Sequence, residues 1–98
     1  MTLTLDQLRH HQRAAILQIA TKYHGLNVRV FGSIARGEAT ETSDVDFLVD
    51  LPADQSLLKR IALQQELEDL LGCPVDVVKP SNLRASIRER VLQEAIAL

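Results

Sequence analysis

The alternation of apolar and polar residues along the 98-residue chain predicts six elements. Apolar residues recur at helical spacing in three segments, and three shorter apolar runs are typical of strands. The order is helix, strand, strand, helix, strand, helix, at residues 5–24, 27–31, 45–51, 56–71, 74–78 and 83–98. This order predicts an α+β (α/β) fold: a small mixed sheet of three or four strands, flanked by helices on one side and open on the other.

Short polar motifs mark the ends of the predicted helices. Thr4–Gln7 has the form of a capping box, which places a helix start near Leu5. Gly25 is predicted to stop the first helix, and Gly72 the second. Lys79–Asn82 is predicted to form a turn and to cap the last helix.

The length, charge and residue composition of the chain exclude several classes of function. A chain of this length predicts one domain, residues 1–98. The net charge of −2 and an aromatic content of 3% give no basis for stable nucleic-acid binding. Cys73 is the single cysteine, which excludes an internal disulfide and a cysteine zinc site. Neither a signal peptide nor the ~20 apolar residues of a membrane span is visible, so a cytoplasmic protein is expected.

Residues 30–50 contain most of the candidate functional residues of the chain. Gly32 and Ser33 follow the first strand, and a Gly-Ser turn leading into a helical turn supplies backbone N–H groups that bind phosphate. Asp44 and Asp46 stand at the head of the second strand, where alternation places both side chains on one face. Two carboxylates about 7 Å apart along a strand suit divalent cations. The stretch therefore predicts a site for a nucleotide with magnesium.

The third predicted strand carries another carboxylate, Asp76, between Val75 and Val77. Alternation directs it away from the face that the valines bury, and aspartate is depleted within strands. Two interpretations stand. Asp76 lies in water on an edge strand, or this strand lies beside the second one and Asp76 completes a three-carboxylate metal site.

The pattern Gly-Ser-x10-Asp-x-Asp at residues 32–46, with the later strand aspartate, resembles the nucleotidyltransferases of the DNA polymerase beta type. The short chain and the form Gly-Ser-x-Ala-Arg-Gly…Ser-Asp-Val-Asp resemble the minimal nucleotidyltransferase (MNT) group of that superfamily. The resemblance covers essentially the whole chain and implies a palm-like nucleotidyltransferase fold.

The resemblance implies roles for seven residues. Asp44, Asp46 and Asp76 would be the catalytic carboxylates and the ligands of two Mg²⁺ ions about 3.5–4 Å apart. Asp76 would also favour deprotonation of the attacking hydroxyl. The residues implied in binding the ATP triphosphate are Gly32, Ser33, Arg36 and Ser43.

Two of these residues also have simpler interpretations. Arg36 would form a surface ion pair with Glu38 or Glu41, and Ser43 would cap the loop. Asp50 shares the strand face of the metal-ligand candidates but lies one step further along. We therefore expect it to make a contact at the strand end.

The resemblance also implies an activity and a partner. The chain would transfer AMP from ATP, with Mg²⁺, to a tyrosine hydroxyl of a HEPN-domain ribonuclease toxin, and would be its antitoxin in a hetero-oligomer. Ninety-eight residues leave no material for an acceptor-binding domain, so the acceptor is expected to be another macromolecule. Two alternatives stay open: a non-catalytic antitoxin that neutralises the toxin by binding, and a small-molecule nucleotidyltransferase whose pocket needs dimerisation.

Overall fold

Three of the four strands form where the apolar runs predict them, and the fourth forms at the end of the segment predicted as the last helix. All four join into one mixed sheet. The computed structural model describes residues 3–98. The strands are β1 (Leu26–Phe31), β2 (Val45–Asp50), β3 (Val75–Val78) and β4 (Ile96–Ala97). They lie in the order β3-β2-β1-β4. β2 and β3 run parallel, whereas β1 is antiparallel to both β2 and β4.

Helices occupy the other predicted segments and flank the sheet. They are α1 (Leu5–His10), α2 (Arg13–Lys22), α3 (Leu57–Leu71) and α4 (Ala85–Glu94), with a 3₁₀ turn at Pro80–Asn82. The α+β fold with a mixed sheet is confirmed, and the element order is confirmed except at both ends of the chain. Within residues 3–98, every helix is too short or too polar to cross a membrane.

The predicted capping box of α1 and the predicted end of α3 at Gly72 are confirmed. Gln7 N–H donates to Thr4 Oγ1 at 3.2 Å, and Thr4 N–H donates to Gln7 Oε1 at 3.0 Å, which completes a capping box. Ser56 Oγ accepts from Lys59 N–H at 3.3 Å at the start of α3. Gly72 ends α3 in the left-handed region, at a φ of 71°.

The prediction of one continuous first helix is wrong, because the chain breaks into α1 and α2 at residues 11–12. Gln12 N–H donates to Gln7 O at 3.0 Å, five residues back, and so leaves the α-helical ladder. Leu8 and Ile16 on either side of the break are both fully buried. The break thus keeps the apolar sides of both helices on the core.

The predicted stop at Gly25 is also wrong in its detail. The left-handed residue after α2 is His24, at a φ of 61°. Its N–H donates to Thr21 O at 2.9 Å, and Gly25 N–H donates to Ala20 O at 2.8 Å, which is a Schellman motif. Gly25 is required for packing instead, because a Cβ there would lie 2.9 Å from Val49 Cγ1.

The last helix is shorter at both ends than predicted. Residues 80–82 form a 3₁₀ turn, which confirms the predicted turn, but the predicted cap at Lys79–Asn82 is wrong, because Arg84 stands at the N-cap of α4. At the other end Ala95 is extended, and β4 pairs Ile96 with Val30. Because β1 would otherwise be an edge strand with free backbone groups, this pairing competes with continued helix.

The helices lie on both faces of the sheet, which corrects the expectation of helices on one side only. Val45 and Phe47 of β2 face the main core under α1, α2 and α3. Leu48 faces the opposite side and packs with Leu83 and Val91 of the α4 segment. The face that carries the even-numbered residues of β2 is therefore covered by α4 beyond Asp46.

His24→Gly should stabilise the fold, by about 0.5–1 kcal/mol, because glycine adopts the left-handed region without a Cβ penalty. Gly25→Ala should destabilise it, because the new Cβ would press on Val49. Urea unfolding of the two variants measures both changes in the free energy of unfolding. Stabilisation by Gly25→Ala would contradict the packing role of Gly25, and destabilisation by His24→Gly would contradict the assignment of the left-handed position to His24.

Candidate active site

Two carboxylates stand side by side on the two parallel strands. The register of β2 against β3 pairs Asp46 with Asp76, between the pairs Val45–Val75 and Phe47–Val77. Because the valines and the phenylalanine are buried in the core, both aspartates are directed to the other face. Paired positions on neighbouring strands lie about 5 Å apart. β3 is the edge strand of the sheet and Asp76 is exposed, as the first interpretation of Asp76 has it. β3 also lies beside β2, as the second interpretation requires, and the metal site itself stays a prediction.

The electrostatics of the site centre on Asp46. Burial, followed by the negative charges of Asp76, Asp44 and Glu94, raises the pKa of its carboxyl from an ordinary 3.8 to about 6, while Arg36 acts in the opposite direction. Asp44 lies one residue before β2 and is exposed, as is Asp76. Asp46 is partly buried between them. An ionised Asp46 is therefore unfavourable here unless a positive charge is near.

Gly32 directly follows β1 and lies against this carboxylate. It is buried, at a φ of 77°, and a Cβ placed on it would overlap Asp46 Oδ2. Only glycine combines this left-handed backbone with so close an approach. The sheet sets the contact, since Phe31 is the register partner of Asp46.

The backbone after Gly32 turns back on itself. Arg36 N–H donates to Gly32 O at 3.1 Å, and Glu38 N–H donates to Ser33 O at 2.8 Å. We call residues 32–37 the glycine turn. It brings the Gly32 N–H and the Arg36 guanidinium to one carboxylate, that of Glu94, at 2.9 and 2.8 Å. Two anion-binding donors thus lie beside the aspartate pair.

Glu94 is a site residue that the sequence reasoning missed. It is the last residue of α4, 62 positions from Gly32, and its side chain is 17% exposed. Burial raises its pKa, but the hydrogen bonds from Arg36 and Gly32 outweigh this effect and hold the pKa below its ordinary value. No local sequence motif predicts the contact of Glu94 with Gly32 and Arg36, because it depends on where α4 ends.

The structure contains the contacts that the simpler interpretations of Arg36 and Ser43 predict. Arg36 makes a 3.4 Å ion pair with Glu38 besides the one with Glu94. Ser43 Oγ accepts from Thr40 N–H at 2.9 Å and so ties the loop together. That Arg36 and Ser43 bind phosphate stays a prediction.

Asp50, which the sequence analysis left out of the metal set, is engaged at the strand end. It accepts hydrogen bonds from Asn27 Nδ2 at 2.7 Å and from Arg29 at 2.9 Å. These contacts bind β2 to β1 and leave the metal-ligand candidates at Asp44, Asp46 and Asp76.

A cavity of about 420 Å³ lies beside the loop, between α1 and residues 39–45. Its lining includes Ser43 and Cys73 but none of the three aspartates. The carboxylates themselves stand on the open part of the sheet face. Their chemistry is thus accessible from solvent rather than enclosed by this cavity.

The donor set of the three aspartates fits a magnesium ion by its chemistry, since Mg²⁺ prefers carboxylate oxygens and retains water. The close Gly32 backbone leaves the Asp46 carboxylate room that a side chain would fill. Among residues 3–98, no group of three or more His, Cys, Asp or Glu side chains is already arranged to hold a metal ion.

Comparison with known proteins identifies the family. The nucleotidyltransferase domain family matches residues 13–98. The protein adenylyltransferase MntA of Thermococcus cleftensis is 43% identical over 94 residues, which cover 96% of this chain and 95% of that relative. A candidate protein adenylyltransferase of Methanocaldococcus jannaschii is 40% identical over 81 residues, 83% of this chain and 87% of the relative.

Solved structures agree with this result. One described as a candidate minimal nucleotidyltransferase superposes with a TM-score of 0.85 at 45% identity, covering 98% of this chain and 97% of that one. A toxin–antitoxin crystal structure with AMP-PNP shares the fold, with a TM-score of 0.74 at 21% identity over 86% of this chain and 69% of that one. The resemblance predicted from residues 32–46 is thus confirmed: the chain belongs to the nucleotidyltransferase family, in its minimal group, and is a nucleotidyltransferase.

Proposed function

We propose that the chain transfers AMP from ATP to a hydroxyl of a partner protein, and that the partner is a HEPN-domain toxin. The observation that carries the proposal is the paired Asp46 and Asp76 beside the anion-binding donors of the glycine turn. The carboxylates suit a cation and the donors suit a triphosphate, so ATP with magnesium fits the combination.

The reaction joins an acceptor oxygen to the α-phosphorus of ATP. The bond from that phosphorus to the bridging oxygen of the β-phosphate breaks, and pyrophosphate leaves. Asp44, Asp46 and Asp76 would hold two Mg²⁺ ions, which neutralise the charge that develops on the phosphoryl oxygens. Asp76 would favour loss of the hydroxyl proton. Gly32, Ser33 and Arg36 would bind the triphosphate, with Ser43 supporting the loop or contacting phosphate.

The proposed acceptor follows from the openness of the site. Asp76 is exposed and Asp46 only partly buried, so a hydroxyl on the surface of a folded protein can reach them. The adenylyltransferase name of the 43% identical relative, and the toxin–antitoxin complexes among the fold neighbours, support a protein acceptor and a toxin partner. A tyrosine acceptor and the HEPN class rest on the family resemblance.

Asp46→Asn should lower the rate of AMP transfer by ~10³ or more, because loss of metal-held charge typically costs several kcal/mol. Asp50→Asn is the matched control, since it removes the same charge from the same strand face at a residue bound to Arg29. It should leave the rate of transfer nearly unchanged. Initial rates of labelled AMP incorporation measure both. Near-native transfer by Asp46→Asn would show that the carboxylate assignment is wrong.

The raised pKa of Asp46 predicts a pH dependence of stability in metal-free buffer. With a folded pKa of about 6 against 3.8 unfolded, the folded protein holds a proton that the unfolded chain has released. This contribution is complete below pH 3.8 and is lost as the pH rises through about 6. Solvent screening of a partly exposed group limits the loss to about 1–2 kcal/mol.

Asp46→Asn should remove this loss, so that the variant is more stable than the wild type at pH 7.5 but not at pH 4. Mg²⁺ should then stabilise the wild type at pH 7.5 and not the variant, because a bound cation offsets the ionised carboxylate. Urea unfolding at both pH values, with and without Mg²⁺, measures these differences. An Asp46→Asn variant less stable than the wild type at pH 7.5 would contradict the prediction.

Mixing the chain with a HEPN-domain toxin, ATP and Mg²⁺ should add one or more AMP units to a tyrosine of the toxin. The added phosphate would repel the phosphates of RNA and so weaken ribonuclease activity. Intact-mass and peptide spectrometry locate the modification, and co-expression tests whether growth is rescued. Asp44→Asn should abolish both effects. Full rescue by Asp44→Asn with an unmodified toxin would favour neutralisation by binding alone.

A further inference from the structure

The glycine turn already binds one anion, and that anion belongs to the chain. Glu94 Oε2 accepts from the Gly32 N–H at 2.9 Å, and Glu94 Oε1 accepts from Arg36 at 2.8 Å. Both carboxylate oxygens are engaged, and the side chain is only 17% exposed. The contact is thus a bridge between the end of α4 and the turn that follows β1.

The position of Glu94 is unfavourable for a carboxylate apart from this contact. The C-terminal end of a helix carries partial negative charge, which favours cations over anions. Glu94 is the final residue of α4, and the last turn of α4 contains no basic residue. Arg90, four residues earlier on the same helix, lowers the pKa of Glu94 through its charge, but Arg36 and the Gly32 N–H lower it more. The donors of the glycine turn therefore supply the larger part of the compensation.

The backbone around Glu94 keeps it close to the turn. Residues 96–97 pair with β1 immediately after Glu94, with Ala97 opposite Arg29, and Leu98 N–H donates to Val28 O at 3.1 Å. β1 itself ends at the glycine turn. Strand pairing therefore fixes the distance between the helix end and the donors, and only the glutamate side chain needs to rotate for the contact to open.

The same donors are those that the proposed function assigns to the ATP triphosphate. A carboxylate and a phosphate oxygen accept hydrogen bonds from N–H groups in the same way. The Gly32 N–H is directed at Glu94 and cannot at the same time be directed at a phosphate oxygen, and the Arg36 Nη1 donor that Glu94 takes is likewise occupied. The charge of Glu94 would also repel a phosphate placed there. Glu94 must therefore leave these two donors when a triphosphate takes them.

We propose that Glu94 is an internal competitor of the triphosphate and sets the affinity of the site for ATP. The inference rests on the proposed nucleotide site and adds a residue that determines the strength of binding there. The direction of the change in ATP affinity when Glu94 is removed distinguishes a competitor from a residue that supports the turn. Removal of a competitor strengthens ATP binding, whereas removal of a residue that merely holds the turn in shape weakens it.

Titration calorimetry of MgATP binding at pH 8 tests the proposal. At this pH Asp46 is ionised with or without Glu94, since its pKa is about 6. Glu94→Ala should bind MgATP about tenfold more tightly than the wild type, because displacement no longer breaks charge-assisted hydrogen bonds. Glu94→Gln retains an acceptor without the charge and should lie between the two.

Glu89→Gln is the matched control. Glu89 is exposed on the same helix, and its substitution removes the same charge away from the turn. Water and salt screen such a charge, so MgATP affinity should stay within about twofold of the wild type. Thermal unfolding of all four proteins shows that they are folded, and the isosteric Glu94→Gln keeps the test valid where Glu94→Ala unfolds.

A second titration uses inorganic tripolyphosphate without Mg²⁺, which separates competition for the donors from any effect of Glu94 on the cation. Glu94→Ala should bind this probe more tightly than the wild type as well. Tightening that is confined to Mg²⁺-containing buffer would overturn the proposal. So would equal or weaker MgATP binding by both Glu94 variants while the wild type binds MgATP. Loss of MgATP binding by every protein, the wild type included, would overturn the proposed nucleotide site and this inference with it.

Discussion

The parallel pairing of β2 with β3 is the constraint on which the site depends. Val45, Phe47, Val75 and Val77 are buried together under the helices, and this burial fixes the register. A slip by one residue would turn valines to the surface and aspartates into the core. Free energy from apolar burial therefore holds Asp46 opposite Asp76, although the two like charges repel each other.

The repulsion between Asp46 and Asp76 persists in the folded protein, where the charge of Asp76 raises the pKa of Asp46. The pKa of Asp46, raised to about 6 by burial and by its acidic neighbours, records the cost of ionising it in this place. A structural carboxylate would be paired with a cation, as Asp50 is with Arg29. Two aspartates of one strand face thus differ: Asp50 is paired with Arg29 within the fold, whereas Asp46 has a raised pKa, and in the proposed function a bound cation neutralises it.

Local sequence signals predicted the parts of the fold that local chemistry decides. The capping box at Thr4, the end of α3 at Gly72, and the alternation that directs Asp46 and Asp76 away from the core depend on neighbours a few residues away. The break after α1 and the left-handed His24 could not be read in the same way. Gly25 carries the expected residue type for a helix stop, but close contact with Val49, on another strand, requires the glycine instead.

Glu94 lay beyond sequence reasoning for a related reason. Its role depends on where α4 ends, and that end is set by the pairing of β4 with an otherwise open edge of β1. Helical periodicity runs on through Ala95 and gives no sign of the change. The sequence motif thus identifies the donors of the glycine turn, whereas only the tertiary structure identifies the acceptor that they hold. Because the proposed triphosphate would take the same donors, the strand that closes the sheet edge would also bear on the affinity of the proposed site for its nucleotide.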